Sequence, residues 1–341
     1  MISNCKTRDN LIDIAKFIAA IFVVVLHTGV LSDTTSVLWQ FDVFLRLAVP
    51  FFILCSGYYF AERCEFKDGR MIKNAYNQSV FQNFLKKQGV LYISWSVIYL
   101  FASIPNWIET GWFSFAAFVD WTLAFLTRGS YYHLWYLIFL IYATLLLYFI
   151  AQNIPVKYFP LLIVPLYLIE VVQYGYRLFL PEKIQTMMIL FDRIPCISAL
   201  TRVLPFLLLG TYIFYGKRKS SKLYIISFIL SLVGCVAERN FLLLYGIENV
   251  SYIMGTFLTS YFLFQILINH KNIFQNRNFK ILSQMSTIIY VIHPLFIMFA
   301  NIIKREKIGS SFIIVLLASV ASSVLIIKGH KSMRKYAGIF K

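Results

Sequence analysis

Three ionisable side chains, Asp13, Lys16 and His27, lie within the first long apolar stretch of the sequence. Ionisable groups at membrane depth are costly, so each is a candidate for function. Lys16 and His27 are eleven residues apart, which on an α-helix returns to nearly the same face with a rise of about 16 Å. An imidazole can take a proton from a hydroxyl near neutral pH, and an ammonium can bind phosphate. The alternative is that Lys16 extends to the lipid headgroups and His27 bonds a neighbouring helix.

Further ionisable residues fall within or at the ends of later apolar stretches. The candidates for orienting an acceptor or stabilising an oxyanion are Arg46, His133, Arg202, Glu238 and His293. Structural explanations stay open for these residues. Arg46 can extend to the surface, and His133 can belong to an interfacial His-Trp-Tyr belt. Glu238 can pair with the adjacent arginine, and His293 can bond a carbonyl freed by the following proline.

A second polar region is predicted at the cytoplasmic side. It contains Lys86, Lys87 and the basic loop 62–88, which we expect to hold a surface helix. Lys16 belongs to the same side, whereas His27 and Arg46 belong to the outer one. Polar groups at both mouths fit either transport or chemistry between a cytoplasmic donor and an external acceptor.

Composition decides which class of protein holds these residues. Of 341 residues, 59% are apolar and 14% charged, against about a quarter charged in soluble domains. One soluble core could not bury so much apolar surface, so the sequence predicts an all-α, polytopic membrane protein. The net charge is +17, and most of the basic residues lie between apolar stretches. There they set the orientation of the chain in the membrane and contact anionic lipids, so we expect no nucleic-acid partner. The five scattered cysteines suggest neither a disulfide framework nor a metal site.

About ten segments are long and apolar enough to cross the bilayer. The predicted spans are 11–31, 43–61, 89–108, 134–151, 158–178, 197–215, 223–240, 251–268, 284–303 and 311–327. Segment 112–127 is shorter and is predicted to be interfacial or re-entrant. With both termini cytoplasmic, 21 of the 32 Lys and Arg residues fall in cytoplasmic segments and eight in external ones, as the positive-inside rule requires. We expect one membrane domain over residues 1–341 in the cytoplasmic (inner) membrane.

Several short motifs along these spans resemble acyltransferase family 3, the ten-span bacterial membrane enzymes that modify surface polysaccharides. The landmarks are the Asp13, Lys16 and His27 pattern within 8–27, FFILCSGY at 51–58, HLWYL at 133–137, LPFLLLG at 204–210 and IHPL at 292–295. Two departures stand out. The basic residue of the first motif is often Arg, and the region before the third span has Lys86-Lys87 where relatives often have arginine pairs. The chain ends soon after span ten, which resembles stand-alone members without a fused extracytoplasmic domain.

The resemblance implies transfer of an acyl group, foremost acetyl, from cytoplasmic acyl-CoA to a hydroxyl of a glycan or its lipid-linked precursor. His27 is then the base. Asp13, the second residue assigned to catalysis, is expected to order the cytoplasmic mouth together with Lys16. Lys16, Lys86 and Lys87 are expected to bind acyl-CoA. Acyl-CoA acts as a co-substrate, and no permanently bound cofactor or metal is expected. Membrane lipids are further partners, and either a homo-oligomer or a complex with polysaccharide assembly machinery is compatible.

A different class, a transporter or flippase for a polysaccharide or small polar solute, is the alternative. Some relatives, including the membrane domains of vancomycin-type serine racemases, have been interpreted in that way. Binding of acyl-CoA distinguishes the two classes, because an acyltransferase needs it and a flippase does not.

Overall fold

The computed structural model describes most of the chain. The described residues are 9–31, 40–192, 197–216, 220–247, 251–271, 273–274, 277–304 and 312–339. Both termini and the basic segment 305–307 lie outside these residues, so their predicted sides of the membrane stay predictions.

The described residues form helices and one small β-hairpin. The α-helices are α1 Asn10–Thr28, α2 Asp42–Arg46, α3 Ala48–Arg63, α4 Ala75–Glu109, α5 Phe115–Thr127, α6 Trp135–Asn153, α7 Pro160–Val171, α8 Glu182–Asp192, α9 Leu204–Tyr215, α10 Ser221–Leu244, α11 Met254–Asn269, α12 Lys280–Lys304 and α13 Phe312–Ile339. The hairpin strands are β1 Phe66–Lys67 and β2 Arg70–Met71. Two π-helical turns, Val172–Tyr176 and Ala199–Val203, follow α7 and precede α9. The all-α class is confirmed.

Eight helical segments in the described residues are long and apolar enough to cross a membrane. They are Asn10–Thr28, Asp42–Arg63, Ala75–Glu109, Trp135–Asn153, Val156–Phe179, Ser221–Leu244, Lys280–Ala300 and Phe312–Gly329. The predicted spans 197–215 and 251–268 correspond to the shorter apolar helices Ala199–Tyr215 and Met254–Asn269. The prediction of several membrane spans is therefore confirmed. The predicted number of ten spans is not confirmed, because only eight described helices are both long and apolar enough to cross a membrane. Segment 112–127 contains the short helix α5, and its interfacial placement stays a prediction.

Helix α4 differs from the predicted arrangement of loop 62–88. The loop holds the hairpin, whose turn at Asp68 and Gly69 has positive φ angles of 51° and 76°, as a tight hairpin requires. The expected surface helix is the first part of α4 and continues without a break into the predicted span 89–108. At 1.5 Å per residue α4 is about 52 Å long, longer than a bilayer core of about 30 Å.

The chain forms two compact, discontinuous units. Unit 1 comprises Met1–Phe51, Ser220–Ile226 and Phe262–Lys341; within it α1 packs on α2 and α12, and α12 packs on α13. Unit 2 comprises Phe52–Lys219 and Ser227–Tyr261; within it α6 packs on α4 and α9, and α7 packs on α9.

Two of the family-like motifs meet inside unit 2. A Cβ built on Gly57 of α3 would lie 2.2 Å from the Leu207 carbonyl oxygen of α9, and one built on Gly210 would lie 2.4 Å from the Leu54 carbonyl oxygen. Thr211 Oγ1 also donates to the Gly57 carbonyl at 3.3 Å. Glycines let helix backbones approach closely in membranes, so these motifs form a helix-packing contact.

Candidate functional site

Helix α1 carries Asp13, Lys16 and His27 on one continuous element, as the sequence predicts. The helix begins at Asn10, whose side-chain amide donates to the backbone carbonyls of Phe274 and Arg277 at 2.8 and 2.6 Å. These hydrogen bonds hold the first residue of α1 in place. Asp13 is 4% exposed, one turn into the helix. Lys16 is half-buried, and the rise from Lys16 to His27 is about 16 Å.

The end of α1 brings His27 against a second histidine. The rings of His27 and His293 stack with centroids 5.3 Å apart and planes inclined by 25°. Gly29 ends α1 two residues beyond His27 with a left-handed φ of 65°, a common helix C-terminus. From the sequence His293 is a candidate for the acceptor side, whereas in the structure its ring lies beside that of the predicted base.

The tautomer of His293 follows from its helix. His293 is 0% exposed within α12, and its Nδ1 lies 3.0 Å from the Ile289 carbonyl oxygen, four residues earlier. A carbonyl oxygen only accepts, so Nδ1 carries the hydrogen and, in the neutral ring, Nε2 keeps its lone pair. The ring therefore makes a structural hydrogen bond to the Ile289 carbonyl, whereas the carbonyl that Pro294 leaves without a backbone donor is that of Tyr290. The bond to Ile289 defines Nε2 as the basic nitrogen of His293.

Arg46, the other predicted site residue of this unit, is held on α2. Its Nε donates to Asp42 Oδ2 at 2.5 Å, one helical turn earlier, and both side chains are largely buried. The pair keeps the Arg46 side chain along α2, which packs on α1 within unit 1. Arg46 is thus an ion-paired residue of unit 1 rather than an isolated cation.

In unit 2, Arg202 forms a buried ion pair that sequence reasoning missed. Arg202 Nε donates to Glu170 Oε1 at 2.7 Å, and Thr201 Oγ1 donates to Glu170 Oε2 at 2.6 Å. Glu170 is 1% exposed. The only sequence signal was an acidic residue deep in a predicted span, because a separation of 32 positions in the sequence hides the pairing.

Aromatic rings surround this guanidinium. Arg202 Cζ lies 4.7 Å from the Tyr174 ring centroid, 5.0 Å from that of Tyr252 and 5.2 Å from that of Trp135. Cation–π contacts of this kind stabilise a desolvated cation. Trp135 begins α6, so the HLWYL motif supplies one wall of the Arg202 environment.

His133 of that motif is buried among tyrosines, with ring centroids 5.0 Å from Tyr99, 5.5 Å from Tyr132 and 5.8 Å from Tyr131. Burial raises the pKa of both the Tyr131 and Tyr132 phenols above their ordinary range. A phenol is already protonated at neutral pH, and the raised pKa keeps both groups hydrogen-bond donors to a higher pH. His133 is 1% exposed and lies within this aromatic cluster, and its place in an interfacial belt stays a prediction.

Glu238 has a structural role that its sequence position did not reveal. It accepts from Tyr176 Oη at 2.7 Å and from the backbone N–H groups of Met254 and Gly255 at 3.1 and 2.7 Å. The carboxylate therefore closes the N-terminus of α11, where the helix dipole favours a negative charge.

Two of the three lysines predicted to bind the donor are exposed. Lys86 and Lys87 both lie on the surface of α4. A cleft of about 470 Å³ opens near the beginning of the same helix, lined in part by Lys73, Gln78, Phe81, Gln82, Tyr148 and Gln152. Neither lysine lines that cleft, so these two features of the predicted cytoplasmic side are separate.

Each unit thus offers one chemically distinct constellation. Unit 1 contains a stacked imidazole pair with one defined tautomer, and an imidazole can take up and release a proton near neutral pH. Unit 2 contains a caged arginine paired with Glu170, which suits recognition of oxygen atoms.

Comparison with known proteins gives one family and one relative. The acyltransferase domain family model matches residues 9–328, nearly the whole chain. The chain is also 27% identical to an amino-acid racemase of Enterococcus faecalis, over 94% of this chain and 46% of that protein. It therefore spans about half the length of this relative. No solved structure matches the chain.

Proposed function

Because the chain belongs to acyltransferase family 3, we propose that it is a membrane-bound O-acyltransferase. It moves an acyl group, foremost acetyl, from cytoplasmic acyl-CoA to a hydroxyl of a cell-surface polysaccharide or its lipid-linked precursor. The family match over residues 9–328 and the eight candidate spans found among the described residues support a multi-pass membrane acyltransferase. We assign it to the cytoplasmic membrane, where a cytoplasmic donor and an external acceptor are both within reach.

The stacked pair of His27 and His293 is the observation that carries this proposal. In the reaction, the acceptor hydroxyl oxygen attacks the thioester carbonyl and forms a new C–O bond. The C–S bond breaks, and CoA leaves as the thiolate. His27 takes the hydroxyl proton and returns it to the thiolate, so the free thiol is released. Neutral His293 presents its ring to the imidazolium that forms on His27 during this step.

The donor side is assigned to lysines. Lys16 lies about 16 Å along α1 from His27, too far to touch the same reacting atom. An extended pantetheine arm spans much of that distance, so Lys16 is assigned to a phosphate of acyl-CoA and Asp13 to ordering the same mouth. Lys86 and Lys87 are exposed cations that attract the anionic donor.

The acceptor side is assigned chiefly to Arg202, whose guanidinium presents hydrogen-bond donors of the kind that stabilise an oxyanion or orient a hydroxyl. His133 and Arg46 are assigned supporting roles in acceptor orientation, each within its own unit. Glu238 is assigned a positioning role, since its oxygens accept from Tyr176 and from the backbone at the start of α11.

Transport of an amino acid or another small polar solute is a second candidate. It is favoured by the Enterococcus faecalis relative, which is an amino-acid racemase and contains a region matching 94% of this chain. A membrane region joined to a racemase is suited to delivering the racemase's substrate. This candidate uses no acyl-CoA.

The two candidates are separated by one experiment on the purified full chain. Acetyl-CoA is titrated in detergent, and membranes containing the chain are supplied with radiolabelled acetyl-CoA while acetyl incorporation into glycan and lipid fractions is counted. Saturable binding with incorporation that His27→Ala abolishes supports the acyltransferase. No acetyl-CoA binding, together with amino-acid uptake into vesicles reconstituted with the chain, would overturn it in favour of transport.

A further inference from the structure

The guanidinium of Arg202 is fixed along one edge and available along the other. Its Nε is bound to Glu170, and Thr201 fixes the second oxygen of the same carboxylate. Among the residues that the structure describes, neither Nη group of Arg202 hydrogen-bonds to the protein, and 16% of the side chain is exposed. The two Nη groups together hold four N–H donors in a planar arrangement.

Three aromatic rings lie close to the same guanidinium. Trp135, Tyr174 and Tyr252 place their ring centroids 4.7 to 5.2 Å from Cζ. These rings restrict the approach of a ligand to the guanidinium, and a ligand that reaches the two Nη groups meets directional donors. This arrangement selects for a pair of oxygen atoms lying in the guanidinium plane.

The backbone supporting this arrangement is unusual on both sides. Arg202 belongs to the π-helical turn Ala199–Val203, and Glu170 lies just before the π-helical turn Val172–Tyr176. π-helical turns within helices occur frequently at functional sites. Both partners of one buried ion pair therefore lie in or beside such a turn.

The charge of the pair decides which oxygen atoms fit. Glu170 is 1% exposed and bound directly to the guanidinium, so the combined charge is about zero. An anionic ligand gains little attraction there and lies close to the Glu170 carboxylate. Hydroxyl groups accept from Nη without bringing a charge, and two neighbouring sugar hydroxyls match the spacing of the fork.

We propose that the Nη edge of Arg202 is a subsite for neighbouring uncharged hydroxyls of a sugar ring, with Glu170 as its positioning residue. This assignment rests on the proposed function, in which the acceptor is a glycan. It narrows that acceptor to a glycan whose sugar ring at Arg202 carries no charge. Glu170 acts through Arg202: it orients the fork and cancels its charge.

Accessibility is tested first with phenylglyoxal, which modifies guanidinium groups. The full chain in detergent is treated, and modified arginines are located by peptide mass mapping. Arg202 should be modified, whereas the matched buried Arg239, which is 1% exposed, should be protected. An unmodified Arg202 would overturn the proposal, because the Nη edge would then be closed.

Selectivity is tested by protection with two pairs of sugars that share their ring hydroxyls and differ at C6, glucose with glucuronate and galactose with galacturonate. At least one neutral sugar should slow Arg202 modification about threefold at twice its dissociation constant, and its uronate partner should protect less. Glu170→Gln keeps an oxygen for Arg202 Nε but removes the cancelling charge, so the ratio of uronate to neutral-sugar protection should rise at least about tenfold. Asp120→Asn, which removes an exposed carboxylate from the Asp120–Arg128 pair, is the control and should change nothing.

Equal protection by the uronate and the neutral sugar in the wild type would refute the charge argument, and no protection by any sugar would refute the subsite. An unchanged ratio in Glu170→Gln would refute the role of Glu170. The outcome is independent of acyl transfer, because protection is measured without acyl-CoA. Protection without any acetyl incorporation would leave the subsite standing and overturn the acyltransferase proposal.

Discussion

The contact between Gly57 and α9 gives a stability prediction whose size follows from distances. In Gly57→Ala the new Cβ would meet the Leu207 carbonyl oxygen at 2.2 Å, with the Leu207 carbonyl carbon and Cα both at 2.9 Å. Ordinary van der Waals contact begins at 3.4 Å, so the backbones must separate locally by about 1.2 Å. The obstacle is backbone, which cannot rotate away as a flexible side chain can.

The expected cost combines three effects. Overpacking of this kind costs about 1–3 kcal/mol. Separation also lengthens the 3.3 Å hydrogen bond from Thr211 to the Gly57 carbonyl, which contributes about 0.5–1.5 kcal/mol. Replacing glycine by alanine inside a helix returns up to about 1 kcal/mol. We expect Gly57→Ala to lower the free energy of unfolding by about 1–3 kcal/mol.

Gly89→Ala is the matched control, because Gly89 lies inside α4 and a Cβ there has no neighbour within 4 Å. Only the helix preference acts at that position, so Gly89→Ala should be neutral or stabilise by up to about 1 kcal/mol. Both variants are unfolded in detergent mixtures with increasing sodium dodecyl sulfate and followed by tryptophan fluorescence. Equal unfolding midpoints for the two variants would refute the packing argument.

Two further predictions concern topology and the donor. C-terminal fusions of a reporter that is active only outside the cytoplasm should be silent at Lys341 and active near Asp192, because both termini are predicted to be cytoplasmic; the opposite pattern would contradict that topology. Lys16→Gln should weaken acetyl-CoA binding by about 1–3 kcal/mol, the scale of a lost hydrogen bond to a charged group, while Lys16→Arg should retain much of it. Equal acetyl-CoA affinity in wild type and both variants, measured by titration in detergent, would leave Lys16 as a residue that only reaches the headgroups.

The sequence predicted those features that depend on local periodicity. The apolar stretches gave the spanning helices, and the eleven-residue spacing placed Lys16 and His27 on one helix, α1. The extent of α4 was missed, because the polar residues 75–88 interrupt the apolar signal but do not interrupt helical hydrogen bonding. The predicted spans 197–215 and 251–268 correspond to the shorter apolar helices Ala199–Tyr215 and Met254–Asn269, and their crossing of the membrane stays a prediction.

Partners across long separations could not be predicted. His27 and His293 stack only because α1 packs on α12. Nothing in the two sequence segments indicates that these helices are neighbours. Glu170 likewise had no visible partner until Arg202 was placed beside it by α7 and the turn before α9. Burial of such groups is readable from hydropathy, whereas their pairing depends on tertiary packing.

The central claim, that His27 and His293 form one acid–base unit, is tested most directly by a double-mutant cycle of acetyl transfer. Incorporation from radiolabelled acetyl-CoA is measured in membranes containing wild type, His27→Ala, His293→Ala and the double variant, with unfolding midpoints confirming that each folds. His270→Ala is the control, because His270 makes the same ring contact to a carbonyl four residues earlier, Nδ1 to Ile266 O at 2.9 Å. Each single variant should lose about 100-fold in turnover, and the double variant should lose little more, because residues acting as a unit are not additive. Near-wild-type turnover in either folded single variant, or losses that multiply in the double variant, would contradict the claim.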